Sequence, residues 1–273
     1  MNTNNLLSRV TVFIFTALTI YPIVFVMFTS LKSTNEFYLN VWSFPQKIEW
    51  ANFSKAWVSA QIGTYFFNSL VIVGVSVIFI VILGAMAGYA LAKLKIPYAE
   101  FVVFILLATT MLPSESVIMP LYIMMSKLRL IGEHYSLIIP YVGWGLPLTI
   151  YIFKSFFQTI PSELIEAARI DGCTETATFT KIISPLMLPA ILTCAIFNFV
   201  FFWGELLWAS IVLSSNSSLR TIPLGVLAFK SQFATDWGPL SAAICIVLLP
   251  LIFTFLFVQK YFVQGITGGA VKG

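Results

Sequence analysis

The chain has 273 residues, of which 59% are hydrophobic and only 10% are charged. A soluble domain carries about 25% charged residues, so this composition indicates an integral membrane protein. The net charge of +4 includes no basic run, which leaves nucleic-acid binding with little support. Three irregularly spaced cysteines argue against a disulfide framework or a zinc site.

Six apolar stretches are long enough to cross a bilayer, which takes about 20 residues of helix. Because lipid leaves the backbone to satisfy its own hydrogen bonds, and because the runs are too long for barrel strands, we expect helices. The predicted spans are residues 10–31, 66–92, 101–125, 135–153, 185–213 and 237–258. The sequence therefore predicts one all-α transmembrane domain over residues 1–273. Its first span exceeds a signal-peptide core and is followed by five more, so we interpret it as a retained anchor.

The orientation of these spans does not follow from charge. An even number of spans places both termini on one side of the membrane. Lys and Arg are enriched in cytoplasmic loops, but eight lie on the side of the termini and seven on the other. The charge count therefore leaves the orientation open.

The connection between the fourth and fifth spans, residues 159–184, is long and helix-like. Pro161 suits a first helical position and Glu163 suits the first turn, where the helix dipole favours an acid. Gly172 is a natural helix terminator, and Thr174 can cap a second helix. We therefore predict two short helices joined at a glycine bend on one face of the membrane.

The first of these helices has features of a protein-docking surface. Ala167 and Ala168 leave one side narrow, and a charged rim surrounds it, formed by Glu163, Glu166, Arg169 and Asp171. A surface of this kind can enter a groove on another protein. The alternative is an amphipathic helix lying on lipid, but such helices are usually rich in Lys and Arg, whereas this segment has four acids and two bases.

The same segment resembles the EAA signature of ABC-importer permeases. That signature is Glu-Ala-Ala, three residues, Gly, nine residues, Ile, one residue and Leu-Pro. This chain matches it at Glu166, Ala167, Ala168, Gly172, Ile182 and Pro185, and has Ser184 in place of the Leu. The resemblance implies a type I ABC importer permease fold, in which six transmembrane helices carry a two-helix cytoplasmic coupling loop. It also implies that an ATPase subunit docks on Glu166, Ala167, Ala168, Arg169, Asp171 and Gly172.

The resemblance extends over nearly the whole chain and is closest to the smaller maltose-permease-like subunit of the carbohydrate-uptake branch. Residues 67–70, 88–92 and 220–225 resemble that family, as does the tail, residues 265–273. In the family this tail reaches the ATPase dimer, which implies that Gly269 and Lys272 face it. The chain departs from the family pattern at Gly204. The family commonly has Trp-Asn in the fifth span, where this chain has Trp203 followed by Gly204.

Polar groups inside the predicted spans are candidates for the transport pathway. A buried ionisable group costs on the order of 2.5–3.5 kcal/mol on insertion and usually faces protein or water. Glu205 lies between Trp203 and Trp208. A carboxylate with neighbouring aromatic rings suits a sugar pathway, but an interhelical bond to a partner permease fits equally well. Asn198 could also bond across helices. Glu115 follows Pro113, where we expect a helix break and a structural or gating role.

The resemblance implies a permease subunit of an ATP-driven importer of sugars or oligosaccharides, with no catalysis of its own. No P-loop motif occurs in the sequence, so the chain would bind no cofactor, and ATP with Mg²⁺ would bind to two separate ATPase subunits. The other implied partners are a second homologous permease, an extracytoplasmic solute-binding protein, the carbohydrate and membrane lipid. The location would be a bacterial or archaeal inner membrane with both termini cytoplasmic.

Three alternatives remain at this stage, one of which is a membrane structural or sensor protein. The cargo could be glycerol phosphate or a polyol carried by the same type of permease. A less favoured alternative is an ion-coupled secondary transporter, although the sequence has no clear internal repeat and only two acids within its spans.

Overall fold

The computed structural model describes residues 3–94, 96–213, 216–229 and 235–270, without the side chains of residues 3–7, 114, 169, 228 and 258–270. Helices dominate these ranges, which contain no β-strand, and the predicted all-α class is confirmed. The helices are α1 Thr3–Ser30, α2 Thr34–Leu39, α3 Ala51–Ser54, α4 Ile62–Lys93, α5 Ala99–Thr109, α6 Ser114–Lys127, α7 Tyr135–Thr159, α8 Ser162–Ile170, α9 Glu175–Ala177, α10 Ser184–Leu186, α11 Leu188–Trp203, α12 Leu207–Val212, α13 Ile222–Val226 and α14 Trp237–Ala270. Single turns of π-helix follow α3 and α9, at Lys55–Ser59 and Thr178–Ile183.

Within the described ranges, four helices are long and apolar enough to cross a membrane. They are Ser8–Ser30 in α1, α4, α7 and Trp237–Phe257 in α14. A bent pair, Glu175–Leu186 and Leu188–Trp203, meets the same test when taken together, with an angle of 77° between its two parts. The described part of the chain therefore has up to five such spans, and α5 is a shorter apolar helix.

The predicted third span, residues 101–125, is divided between α5 and α6. Pro113 occupies the position before α6 with ψ of 129°, outside the helical region. Proline has no N–H to donate and its ring disfavours helical backbone before it, which explains why α5 does not continue into α6. Glu115 is exposed in the first turn of α6, where an acid stabilises the helix dipole.

The chain divides into two compact units. The first comprises Met1–Phe67 and Thr221–Leu251, and the second comprises Asn68–Arg220 and Ile252–Gly273.

In the first unit, a buried lysine organises the connection after α1. Lys32 is 1% exposed, and its Nζ donates to the carbonyl oxygens of Asn40 at 3.2 Å and Val41 at 3.0 Å. Asn52 is also buried, and its Nδ2 donates to the carbonyl oxygens of Ser30 and Lys32. These bonds satisfy polar groups that would otherwise destabilise an apolar interior.

In the second unit, close packing of α4 against α7 depends on glycine. A Cβ on Gly88 would lie 2.7 Å from Cβ of Phe153 and 3.0 Å from the backbone nitrogen of Lys154. A Cβ on Gly84 would lie 2.6 Å from Cγ2 of Thr149. Small residues allow membrane helices to approach closely, so these two glycines set the distance between α4 and α7.

Candidate functional site

The segment of residues 159–184, which we call the coupling segment, forms two helical parts joined by a bend. Gly172 has φ of +77°, a left-handed conformation that glycine adopts without the steric penalty of a Cβ. The N–H of Cys173 donates across the bend to the carbonyl of Ala168 at 2.9 Å. After the bend, Oγ1 of Thr174 accepts from the N–H of Ala177 at 3.2 Å. The two-helix arrangement bent at Gly172 is therefore confirmed.

The second helical part is less regular than a simple α-helix. It begins with the short α9, continues through the π-helical turn Thr178–Ile183 and ends with α10. Pro185 and Pro189 lie on either side of Met187, where the chain turns by 77° into α11. Proline cannot donate to the preceding turn, which explains the sharp bend at this point.

The helix α8 has one buried face and one exposed face. Ile165 and Ala168 are 5% and 3% exposed, whereas Glu166 and Ala167 are exposed. Ile170 also projects outward, with 86% of its surface exposed. Ala168 therefore belongs to the inner face and is not available to a docking partner, which corrects the expectation that both alanines form the docking surface. The physical reason is that consecutive residues on an α-helix point about 100° apart.

The remaining predicted docking residues lie at the bend or beside it. Asp171 and Gly172 are exposed, and the N–H of Asp171 donates to the carbonyl of Ala167 at 2.9 Å. Arg169 lies in α8, and its side chain is outside the described part of the structure. With Glu163 and Glu166, also exposed, the outward face of α8 carries two carboxylates beside an apolar surface.

An apolar core holds the coupling segment against the rest of the second unit. Buried side chains from α4, α7 and α11 meet buried side chains of the segment, namely Ala85, Tyr89, Phe153, Phe157, Ile160, Ile165, Ile183, Met187, Ala190 and Cys194. The ring of Tyr89 lies 5.4 Å from that of Phe157 and 5.2 Å from that of Phe179. Aromatic contacts of this kind add stabilisation beyond the area they bury.

Two polar contacts, neither anticipated from the sequence, join α4 to the same segment. Oη of Tyr89 lies 3.3 Å from Oε2 of Glu175, and Nζ of Lys93 donates to the carbonyl of Ile160 at 2.6 Å. The available sequence signal was the four-residue spacing of Tyr89 and Lys93, which places both on one face of α4. Their partners are about 70 to 90 residues away in the chain, and local periodicity does not reveal such pairs.

A nearby ion pair joins α5 to α7. Lys154 is 5% exposed, and its Nζ lies 2.5 Å from Oε1 of Glu100, whose side chain is 82% exposed. A buried ammonium group requires such a partner because an uncompensated charge in an apolar interior is strongly destabilising.

Of the two tail residues expected to face the ATPase subunits, Gly269 and Lys272, the structure describes only the first. Gly269 is in the last turn of α14, which runs to Ala270. Lys272 lies outside the described residues.

Glu205 lies at a break in the predicted fifth span, between α11 and α12. Its carboxylate accepts from the N–H of Trp208 at 2.7 Å and the N–H of Ala209 at 3.1 Å, which caps the first turn of α12. The Oη of Tyr141 on α7 donates to the same carboxylate at 2.7 Å. Half-buried Glu205 therefore makes its interhelical bond within this chain.

The other two candidate pathway residues are buried. Trp203 is 1% exposed and stacks on Phe199 with ring centroids 5.2 Å apart. Asn198 is 3% exposed, and its Nδ2 donates to Oγ1 of Thr149 at 2.9 Å. Neither side chain offers surface to a solute in this structure. Of the three candidates, Glu205 alone is partly exposed, and the adjacent Gly204 is exposed as well.

The only histidine lies in the connection before α7. His134 is half-buried, and its Nε2 is buried without a hydrogen-bond partner among the described residues. Burial lowers the pKa of His134 below its usual 6.5, and the carboxylate of Glu133 opposes that shift. A neutral imidazole is therefore favoured at this position.

Residues 80–268 match the family model described as "Binding-protein-dependent transport system inner membrane component". The chain is 34% identical over 253 residues to the probable ABC transporter permease protein YurM of Bacillus subtilis, covering 93% of this chain and 84% of the relative. It is 33% identical over 253 residues to the melibiose/raffinose/stachyose import permease protein MelC of the same species, covering 92% and 91%.

A solved structure has the same fold. It belongs to a bacterial ABC transporter involved in the import of the acidic polysaccharide alginate, and one of its chains aligns with a TM-score of 0.81 at 21% identity. The alignment covers 94% of this chain and 96% of that one. The predicted type I importer permease fold is thereby confirmed.

Proposed function

Since the chain belongs to the family of binding-protein-dependent transport system inner membrane components, we propose that it is a permease subunit of an ATP-driven importer of sugars or oligosaccharides. The relative MelC, named for melibiose, raffinose and stachyose import, supports this class of cargo. So does the resemblance of the sequence to the carbohydrate-uptake branch. The chain forms half of the pathway, and a second homologous permease forms the other half.

The observation that carries the coupling role is the two-faced character of α8. Its inner face is fixed in the core through Ile165 and Ala168, while Glu166, Ala167 and Ile170 are exposed. An apolar centre with a charged rim is the arrangement of a protein–protein interface, and the outer face of α8 has this arrangement. We assign this outer face, with Arg169, Asp171 and Gly172, to docking of an ATPase subunit.

The docking assignment also determines orientation. ATP is available in the cytoplasm, so the coupling segment and both termini lie on that side, and the Gly269–Lys272 tail faces the ATPase pair. The connections on the opposite side receive solute from an extracytoplasmic binding protein. Closure of the ATPase pair on ATP draws the coupling segments together and turns the pathway outward.

Within the pathway, Glu205 is the residue that we assign to the solute. A carboxylate has about four lone-pair positions for hydrogen bonds, and three bonds from Trp208, Ala209 and Tyr141 fill most of them. The remaining capacity can accept one hydroxyl group of a sugar. Trp203 and Asn198 support the pathway from inside the helix packing, since both are buried.

A charge reversal tests the docking face. In Glu166→Lys we expect the ATPase subunits to be lost during purification of the complex, because the exposed carboxylate is replaced by an ammonium group. Lys127→Glu, an exposed charge reversal at the end of α6, is the matched control and should keep them. Normal ATPase recovery and sugar uptake in Glu166→Lys would rule out the assignment.

A further inference from the structure

The cytoplasmic end of α4 is bonded to both halves of the coupling segment. Lys93 Nζ reaches the carbonyl of Ile160 at 2.6 Å, immediately before α8. Tyr89 Oη reaches the carboxylate of Glu175 at 3.3 Å, in the first turn after the bend. Residues four positions apart lie one above the other on a helix, so one face of α4 bonds the segment on either side of Gly172.

Each bond has a geometry suited to transmitting movement. Ile160 is the C-cap of α7 and has an extended backbone with ψ of 126°, which turns its carbonyl out of the helical hydrogen-bond pattern and toward Nζ of Lys93. Tyr89 is 6% exposed, and its ring is held between the rings of Phe157 and Phe179. The packed ring fixes the direction of its hydroxyl group, whereas the side chain of Glu175 is exposed.

We propose that Tyr89 and Lys93 are positioning residues that make α4 move together with the coupling segment when an ATPase subunit displaces it. This inference rests on the proposed docking of the ATPase at α8. Packed helices can slide past one another by small shear displacements, because dispersion contacts have little directional preference. Hydrogen bonds are directional, so the short bond of Lys93 at 2.6 Å and the longer contact of Tyr89 at 3.3 Å restrain this sliding and convert a displacement of the segment into a displacement of α4.

The test uses two fluorescent reporters in the assembled complex with its second permease and ATPase subunits. In a background lacking the three native cysteines, Ser162→Cys places a bimane label at an exposed position at the start of α8, outside the residues assigned to docking. Val71→Cys, 52% exposed, places one near the opposite end of α4. Trapping with ATP, Mg²⁺ and vanadate should alter the emission at both positions. The label at 162 reports docking, and the label at 71 reports movement of α4.

The variants Tyr89→Phe and Lys93→Met remove the bonding groups and retain most of the packed atoms. We expect the double variant to keep the response at 162 and to reduce the response at 71 by about half or more. The conservative variants Glu175→Gln and Lys93→Arg keep an acceptor and a donor, and should keep both responses. If the double variant does not assemble, the response at 71 in Tyr89→Phe is the test, because this variant keeps the ring contacts and loses only the hydroxyl group.

The controls and the contrary outcomes distinguish the role of Tyr89 and Lys93 from docking at α8. Tyr98→Phe and Lys127→Met, both at exposed positions, should leave both responses unchanged. A full response at 71 in the double variant, or in Tyr89→Phe where that variant decides, would overturn the role of Tyr89 and Lys93. Absence of a response at 71 in the parent chain would do so too. Absence of a response at 162 in the parent chain would instead refute docking at α8.

Discussion

The left-handed backbone at Gly172 offers the sharpest test of the coupling segment. Its φ is +77°, and a Cβ added there would meet nothing within 4 Å. Substitution by alanine therefore introduces no clash with the surroundings, and the penalty comes from the backbone conformation alone. For an L-residue that penalty is about 1–2 kcal/mol, which corresponds to roughly a 5–30-fold change in an equilibrium constant.

We expect Gly172→Ala to open the bend and to weaken ATPase association by about this 5–30-fold factor. Asparagine tolerates the left-handed region better than alanine, so Gly172→Asn should lose distinctly less. The measurement is the dissociation constant between purified ATPase subunit and permease complex in nanodiscs, by surface plasmon resonance. A control, Gly143→Ala, lies in the helix α7 and also meets nothing within 4 Å.

The order of the variants is the decisive result. Equal binding by the parent chain, Gly172→Ala and Gly172→Asn would refute the claim that the bend orders the docking face. If Gly172→Ala, Gly172→Asn and Gly143→Ala all bind the ATPase subunit more weakly by the same factor, the cause is general destabilisation instead.

Three further predictions concern packing, the break in the fifth span and pH. Gly88→Ala should lower the free energy of unfolding by about 1–3 kcal/mol through overpacking, whereas Gly74→Ala, with nothing within 4 Å of the added Cβ, should be neutral or slightly stabilising; equal thermal melting of both variants would contradict this. Tyr141→Phe should destabilise the protein by about 1.5–3 kcal/mol, the range for a hydrogen bond to a charged group, and the loss should be smaller in a Glu205→Gln background; identical losses in both backgrounds would exclude coupling between the two side chains. Because burial lowers the pKa of His134, its contribution to stability is present above about pH 6.5 and is lost as pH falls through the lowered pKa. The melting temperature of His134→Gln should therefore decrease less between about pH 8 and pH 5 than that of the parent chain. Parallel pH profiles of the two proteins would refute this prediction.

Several features of the fold followed from local sequence. The apolar runs predicted membrane helices because, in lipid, the backbone N–H and C=O groups must bond to each other. Gly172 predicted a bend because glycine adopts positive φ without strain, and Thr174 predicted a cap because its hydroxyl can accept from a free N–H. Each of these features depends on neighbours within a few residues, which the sequence displays directly.

The break at Glu205 illustrates what local sequence did not reveal. The carboxylate was recognised as unusual in an apolar span, yet its partner Tyr141 is 64 residues away. The sequence allowed a bond to another subunit just as well. Only the packing of α7 beside α11 places the phenol against the carboxylate, because tertiary contacts between distant segments are not encoded in any local period.

The docking face shows the same division between sequence and tertiary structure. Composition and spacing predicted that α8 is a surface for another protein, since its charges are mainly acidic and its alanines are small. Which alanine faces outward was decided by the core formed with α4, α7 and α11, which takes up Ala168 and leaves Ala167 exposed. The bonds of Tyr89 and Lys93 to the segment arise in the same way. The sequence by itself thus determined the class of protein and the segment for which docking is proposed, whereas burial of one helix face against distant helices decided which residues of that segment are exposed.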